Sequence, residues 1–341
     1  MARIRIVPVS DKTVWESFLA KRPEANFLQS WQWGQFHRNL GKSVDNLGFY
    51  EGNKLAGVLL TVVEPARRGR YLSVAGGPIL DFTEKSLVSA FADGVRETGN
   101  RYACAFVRVR PQLPDDAFFR SLFSGLGFLP AQMHLEAETT SQLDLSLPEE
   151  TLLANMRKTT RHEIRKAKSL GIIVKESQDP ADIRAFFQLQ TETARRQKFV
   201  PFSYPYLYEQ FKAFASDGQA FLYSAYKDSS LLAQAFIIFY GPEAVYHYGA
   251  STEEGRQYPG AYLIQWEAIR RARQRGQRRY NFWGVVAPDD TGHRFYGVSV
   301  FKRGFGGTDV CYLHAQDLIL SPARYAANFA VEYIRKRTRR L

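Results

Sequence analysis

Residues 278–307 read RRYNFWGVVAPDDTGHRFYGVSVFKRGFGG. The stretch opens with an apolar run at 280–286 and crosses a polar loop containing Pro288, Asp289, Asp290 and Gly292. It then reaches Phe301-Lys302-Arg303-Gly304-Phe305-Gly306-Gly307. The pattern predicts a hairpin whose second strand ends in glycines, where the missing Cβ lets another backbone or a ligand come close. Lys302 stands in an aromatic-flanked run, so its ammonium is expected partly out of water, where a point charge acts more strongly on a developing oxyanion. A surface hairpin carrying one solvated lysine is the alternative that composition alone permits.

Working outward, Leu263, Trp266 and Ile269 mark a helix at 262–273 closed by Gly276. Before it come strands at 220–226, 231–240 and 245–248, with a turn at Lys227-Asp228-Ser229-Ser230. Helices at 181–190 and 206–215 precede those strands. The first half repeats this order: a strand at 4–9, a helix entered through Ser10 and Asp11, a helix at 30–36 ended by Gly41, then strands up to Tyr50, at 55–63 and at 71–74. A helix through Leu87, Phe91 and Val95 stops near Gly99, and a strand at 102–109 follows. Tyr50 pairs with Tyr226, Tyr71 with Tyr246, Gly99 with Gly276 and Tyr102 with Tyr280, at offsets of 175 to 178 residues, which is the mark of a duplicated unit. Helices first, an antiparallel meander next, then one helix leading to one strand is a mixed α+β (mixed α/β) order and not a uniform βαβ alternation.

The chain has 341 residues, 45% hydrophobic and 14% aromatic, enough for two ordinary cores and too apolar for disorder. The start, MARIRIVPVSDKTVW, lacks an apolar leader, and no apolar run is long enough to span a bilayer, so a soluble cytoplasmic protein is expected. Cys104 and Cys311 fit no metal-ligand spacing and read as reduced thiols. The net charge of +12 is uneven: 17 Lys+Arg face 15 Asp+Glu up to Leu145, against 29 and 19 after it. A basic second half suits RNA, an anionic membrane face or a diphosphate-bearing substrate.

Three cationic segments carry that excess. In a predicted helix at 151–170, Arg157, Arg161 and Arg165 fall four apart, as do Lys158, His162 and Lys166, with Glu163 barely offsetting them. Such a stripe pays like-charge repulsion unless an anion covers it. Arg270, Arg271, Arg273, Arg275, Arg278 and Arg279 form the second cluster. The third is the tail, a helix begun at Ser321-Pro322 and running into Ile334-Arg335-Lys336-Arg337-Thr338-Arg339-Arg340, read as an anionic-surface contact or as a tail without fixed structure.

Taken with FLQSWQWGQF near the start and NMRKTTRHEIRKAKSLGI in the middle, the run ending FKRGFGG resembles the Fem family, the non-ribosomal aminoacyltransferases of peptidoglycan bridge synthesis. The helix–meander–helix–strand order is also that of GNAT acyltransferases. The resemblance implies two tandem GNAT-like domains, 1–145 completed by the C-terminal helix 321–341, and 146–320. It also implies transfer of an amino acid from aminoacyl-tRNA to the stem-peptide amine of a peptidoglycan precursor, either UDP-MurNAc-pentapeptide or lipid II. No metal or organic cofactor is implied, and a peripheral contact with the inner membrane face fits the basic tail. After Gly171 the chain turns strand-like at Ile172-Ile173-Val174, so the helical arm of some members is missing and the chain resembles the armless, FemX-like ones.

Residue by residue, the resemblance makes Lys302 the stabiliser of the tetrahedral oxyanion. It assigns the precursor to an arginine in TETARRQKF, Arg196 first and Arg195 second, and expects a basic residue after the WQWG stretch, His37 or Arg38. Phe301 and Tyr248 complete the expected substrate contacts. Asn281 stands where relatives often carry Asp, which leaves no general base named. An acyl-CoA-dependent N-acyltransferase is the alternative, and its pyrophosphate loop would be the segment Gln257-Tyr258-Pro259-Gly260-Ala261-Tyr262, where Tyr262 occupies the place of a small residue. A non-catalytic RNA-binding or membrane-surface protein is a third. There is no HExxH, paired-Cys, GxSxG or GxxxxGK[ST] motif.

Overall fold

The computed structural model describes residues 4–66, 69–197 and 199–339. Lys198 and Arg340 of the basic segments, and Arg67 and Arg68, lie outside them. The chain forms two compact units, 1–138 with 311–341, and 139–310.

Unit 1 carries β1 (Ile4–Pro8), β2 (Val44–Glu51), β3 (Lys54–Ala66), β4 (Gly69–Ala75), β5 (Phe106–Arg110) and β6 (Leu129–Pro130), with α1 (Lys12–Leu19), α2 (Trp31–Asn39), α3 (Lys85–Arg101) and α4 (Ala117–Gly125). Unit 2 carries β7 (Thr139–Asp144), α5 (Glu149–Asn155), α6 (Lys158–Ser169), β8 (Ile173–Ser177), α7 (Ile183–Gln197), α8 (Tyr204–Ala215), β9 (Ala220–Lys227), β10 (Ser230–Tyr240), β11 (Glu243–Ser251), α9 (Gly260–Gln274), β12 (Arg279–Gly284), α10 (Tyr296–Arg303) and β13 (Thr308–Cys311). Then β14 (Gln316–Ile319) and α11 (Pro322–Arg339) complete unit 1.

The two sheets have one topology. Unit 1 runs β1-β2-β3-β4-β5-β14-β6, and unit 2 runs β8-β9-β10-β11-β12-β7-β13. In each, an antiparallel meander of four strands meets a parallel pair, β4 with β5 and β11 with β12, across α3 or α9. An antiparallel sixth strand then closes the parallel edge: β14 on β5, and β7 on β12. The duplication read from the tyrosine and glycine landmarks is therefore repeated strand for strand. The sequence places residues 139–144 in the first domain, but their backbone pairs with β12, so they lie in unit 2.

Local signals start the elements where expected. Asp11 accepts from the Thr13 and Val14 amides, and Ser30 from Trp33, which satisfies amides that an N-terminal turn leaves open. The core of unit 1 packs Phe49, Leu72, Phe91, Val95, Val107 and Phe123, and that of unit 2 packs Tyr223, Ile237, Leu263, Trp266, Tyr280 and Phe305. In unit 1, Arg108 on β5 donates four hydrogen bonds of 2.8–3.0 Å to Asp317 on β14 and Glu332 on α11, which ties the last helix to the sheet. Among the described residues no helix is long and apolar enough to cross a membrane, and no group of three or more His, Cys, Asp or Glu could hold a metal ion.

Several expectations are corrected. Residues 301–307 are not a strand: Lys302 lies in α10, because the inward-facing Ser299 and Lys302 are three apart, a helical spacing that the β-formers Val298, Val300 and Phe301 disguise. The single helix at 151–170 is two, broken where Met156 and Arg157 are extended (ψ 150° and 147°). Arg157 N–H leaves the helical ladder there to donate to Gly304 O at 2.9 Å. The segment after Gln190 is helix to Gln197, not loop. The strand expected at 102–109 begins only at Phe106, because α3 continues to Arg101 and Ala103 turns the chain at φ 50°. The tail is helical to Arg339.

Candidate functional site

Lys302 and Asn281 lie where β12 ends and α10 packs. Asn281 accepts the Trp283 amide at 2.9 Å, a local turn that competes with the ladder. The register of β12 against β7 shifts between Asn281 and Gly284, and Trp283 sits at φ 63°, a left-handed conformation costly for a non-glycine residue. The bulge presents Gly284 O to Lys302 Nζ, which donates to it at 2.7 Å. Lys302 is only 8% exposed, its Nζ lies 5.7 Å from the Tyr246 ring centre, and no carboxylate among the described residues pairs with it. Burial without a counter-ion pulls its pKa down to about 7. An ammonium with one carbonyl partner keeps two N–H donors for a substrate.

The end of β11 carries an aromatic cluster. Tyr248 stacks obliquely on His247 (3.9 Å) and Phe202 (5.0 Å), and Trp283 meets His247 edge-on at 5.8 Å. His247 is held by Gln210 at 3.0 Å, and burial lowers its pKa to about 3, so it is neutral. The Tyr246 phenol is raised to about 12 by burial, so it is a donor and not a base near neutrality. It fits because residue 249 is glycine: a Cβ there would lie 1.8 Å from its Oη.

The glycines after Lys302 seat α10 on the unit. Gly306 has φ +85°, and a Cβ on it would meet Asn155 O at 2.5 Å. The close approach expected of this run is thus made by the α5–α6 junction backbone. Phe301 points into the core, against Tyr262 at 4.9 Å and Phe305 at 5.3 Å. Tyr262, in the first turn of α9, thus packs against α10 and the residues after it, and Gln257 lies in the turn before α9.

Arg196, at the end of α7, donates to Ser251 O at 2.8 Å and lies 3.5 Å from Glu253. Arg195 is exposed, and no carboxylate among the described residues pairs with it. In unit 1, His37 is buried beside Trp33 and Phe36, and burial, then the Lys42 cation, lowers its pKa to about 3, so it brings no charge. Arg38 donates to Asn46 and lies 5.6 Å from the Trp31 ring centre. Of the α6 stripe, Arg161 is spent on the carbonyls of Ala154 and Met156, each at 2.7 Å, whereas Lys158, His162, Arg165 and Lys166 are exposed.

Sequence reasoning missed Tyr246, Trp283 and Gly284 as parts of the site. Tyr246 carried a signal, as a landmark of the repeat. Trp283 and Gly284 carried none beyond ending the apolar run.

A duplicated mixed-sheet unit, with a buried donor cation at a strand bulge, has the architecture of tandem GNAT acyltransferases. The FemAB family model matches residues 11–119, 123–230 and 218–332. The aminoacyltransferase FemA of Staphylococcus aureus is 22% identical, with 94% of this chain and 97% of FemA aligned. The crystal structure of FemX superposes with a TM-score of 0.85 at 17% identity, covering 95% of this chain and 100% of FemX. A tandem GNAT protein from the clavulanic acid biosynthesis pathway gives 0.58 at 12% identity, over 92% and 98%. The chain belongs to the FemAB family.

Proposed function

We propose that the protein is an aminoacyltransferase of peptidoglycan cross-bridge synthesis, taking the aminoacyl group of an aminoacyl-tRNA and transferring it to the stem-peptide amine of a cell-wall precursor. Family membership supports the class of reaction. The observation that carries the site is Lys302, a buried ammonium without a carboxylate partner among the described residues, oriented by Gly284 O.

In this reading the acceptor amine attacks the ester carbonyl, the C–N bond forms, and the carbonyl oxygen gains the negative charge. Protonated Lys302 donates to that oxyanion. Collapse breaks the C–O bond to the ribose, and the proton released by the amine ends on the ribose hydroxyl. The ester is already activated, so positioning and charge stabilisation suffice, with no covalent enzyme intermediate and no cofactor. Arg195 is the better placed of the two arginines to grip a precursor carboxylate or phosphate, because Arg196 is occupied. The exposed cations of α6 suit RNA phosphates, and the precursor's lipid-linked form would bring the protein to the membrane face.

The test is transfer of radiolabelled amino acids from a charged total tRNA pool to the nucleotide-linked muramyl-pentapeptide and, separately, to its lipid-linked form. Label in either acceptor that disappears with RNase supports the reading. No transfer to either, together with acyl-CoA binding, replaces it with the CoA-dependent alternative.

A further inference from the structure

Unit 1 has a surface cleft of about 430 Å³ lined by Gly69, Arg70, Arg101, Tyr102, Ala103 and Arg324. Three guanidinium groups line it, from β4, α3 and α11. Two are fixed in place: Arg101 by Asp45 at 2.7 Å, with the Tyr102 ring centre 5.1 Å away, and Arg324 by Ala103 O at 3.0 Å and Ser321 Oγ at 3.3 Å. Among the described residues Asp45 is the one carboxylate paired with any of the three, so the cleft keeps an excess of positive charge. Ala103, at φ 50°, is strained, and it supplies the carbonyl that orients Arg324. Planar forks held around a cleft match the oxygens of a phosphate.

The helix that supplies Arg324 has an unusual outer face. Tyr325 and Glu332 turn inward, to Asp317 and Arg108. On the opposite side Ala323, Ala327, Ala330 and Ile334 fall in one exposed row, flanked by the exposed Tyr333. No charged residue stands between Arg324 and Glu332. Ile334 is 59% exposed and Tyr333 40%, so this face holds two large side chains open beside the alanine row. Arg335 is eleven residues, three helical turns, beyond Arg324 and so borders the same row.

We propose that this face of unit 1 docks on an anionic phospholipid bilayer. A headgroup phosphate sits among Arg70, Arg101 and Arg324. Tyr333, Ile334 and the alanine row of α11 enter the boundary between headgroups and acyl chains, as an interfacial helix does. Charge complementarity selects this occupant: cations border the apolar row at Arg324 and Arg335, the pattern that anionic headgroups neutralise. The inference goes beyond the transfer reaction and does not depend on it, although it would favour a lipid-linked acceptor.

The test is co-sedimentation of the full chain with vesicles of phosphatidylcholine and of phosphatidylcholine mixed with phosphatidylglycerol. Binding is expected only to the mixture. Each cation contributes about fivefold near such a surface, so the double variant R70E/R324E should bind at least about tenfold more weakly. The variant Y333S/I334D should also lose binding while leaving the cleft intact. All four positions are exposed, so unchanged thermal melting is the expected folding control. Failure of the wild type to sediment with either vesicle overturns the proposal, as does unchanged binding by R70E/R324E. Two further outcomes also overturn it. Loss of tRNA gel-shift binding in R70E/R324E with vesicle binding retained would make the cleft an RNA site. A smaller solution mass for Y333S/I334D than for the wild type, without a change in vesicle binding, would make the row a contact between copies of this chain. Vesicle binding without aminoacyl transfer removes the proposed function and leaves this inference standing.

Discussion

Both units bury cations in the sheet layer, and two of them, Arg108 of unit 1 and Lys302 of unit 2, are treated in opposite ways. Arg108 of unit 1 makes four charge-assisted hydrogen bonds to Asp317 and Glu332. Burial alone would lower its pKa, but those hydrogen bonds outweigh it and raise the pKa. Lys302 of unit 2 has one carbonyl and a tyrosine ring, and burial brings its pKa to about 7. A paired buried cation serves the fold, joining a strand and the last helix to the sheet. An unpaired one costs stability, and in the proposed reaction Lys302 offsets that cost by meeting the transient negative charge.

Breaking the paired cation should give the largest effect on stability. Arg108→Met leaves Asp317 and Glu332 without their partner, and about 3–5 kcal/mol should be lost in urea denaturation of unit 1. Transfer by the protein that remains folded should change little. A loss below about 1 kcal/mol would mean that α11 is held by its apolar contacts, such as Tyr325 on Phe106 at 5.3 Å, and not by the ion network.

The unpaired cation should invert that pattern. Lys302→Met should cost around 10²- to 10³-fold in transfer rate while raising stability. Because the folded pKa of about 7 lies below the ordinary 10.5, the unfolded chain binds more protons between those values. The wild type therefore gains stability as pH rises from about 7 toward 10.5, and its deficit relative to Lys302→Met is full below about 7 and vanishes above 10.5. Denaturation of both proteins across that range checks the sign. The rate of the wild type should fall as pH rises through the lysine's pKa, and Lys302→Arg, which does not deprotonate, should lack that limb.

How the lysine is held can be probed one step away. Gly306→Val must place a branched side chain where a Cβ already meets Asn155 O at 2.5 Å, and at φ +85°. A loss of about 1–3 kcal/mol is expected, with the transfer rate falling because α10 no longer carries Lys302 to Gly284. If stability falls and the rate does not, the seating of α10 is structural only.

These residues also show what the sequence could tell. The meander strands and the helix between the parallel strands were legible because turn residues and apolar periods agree over long segments. The repeat was legible because tyrosines and glycines recur at one offset. The helix α10 was not, since its β-forming residues are overruled by the inward burial of Ser299 and Lys302. The break at Met156–Arg157 was not, since neither residue breaks helices and the cause is a carbonyl on Gly304, far along the chain. Lys302 could be singled out from its run, but its lack of a counter-ion is a property of neighbours that sequence order does not reveal. The left-handed Trp283 is invisible for the same reason.

The smallest effect repeats the comparison within one turn of α7. Arg196 is paired, through Ser251 O and Glu253, and Arg195 is not. By the logic of Arg108 and Lys302, Arg196→Ala should loosen the segment after β11 and cost about 1 kcal/mol. Arg195→Ala should leave stability within about 0.5 kcal/mol and raise KM for the precursor about three- to tenfold, with kcat nearly unchanged, since an exposed guanidinium binds ground and transition states alike. A rise in KM for Arg196→Ala without loss of stability would reverse the assignment. It would also show that an arginine already paired in the free protein can exchange its partner for the substrate, which the separation of structural from functional cations by pairing alone does not allow.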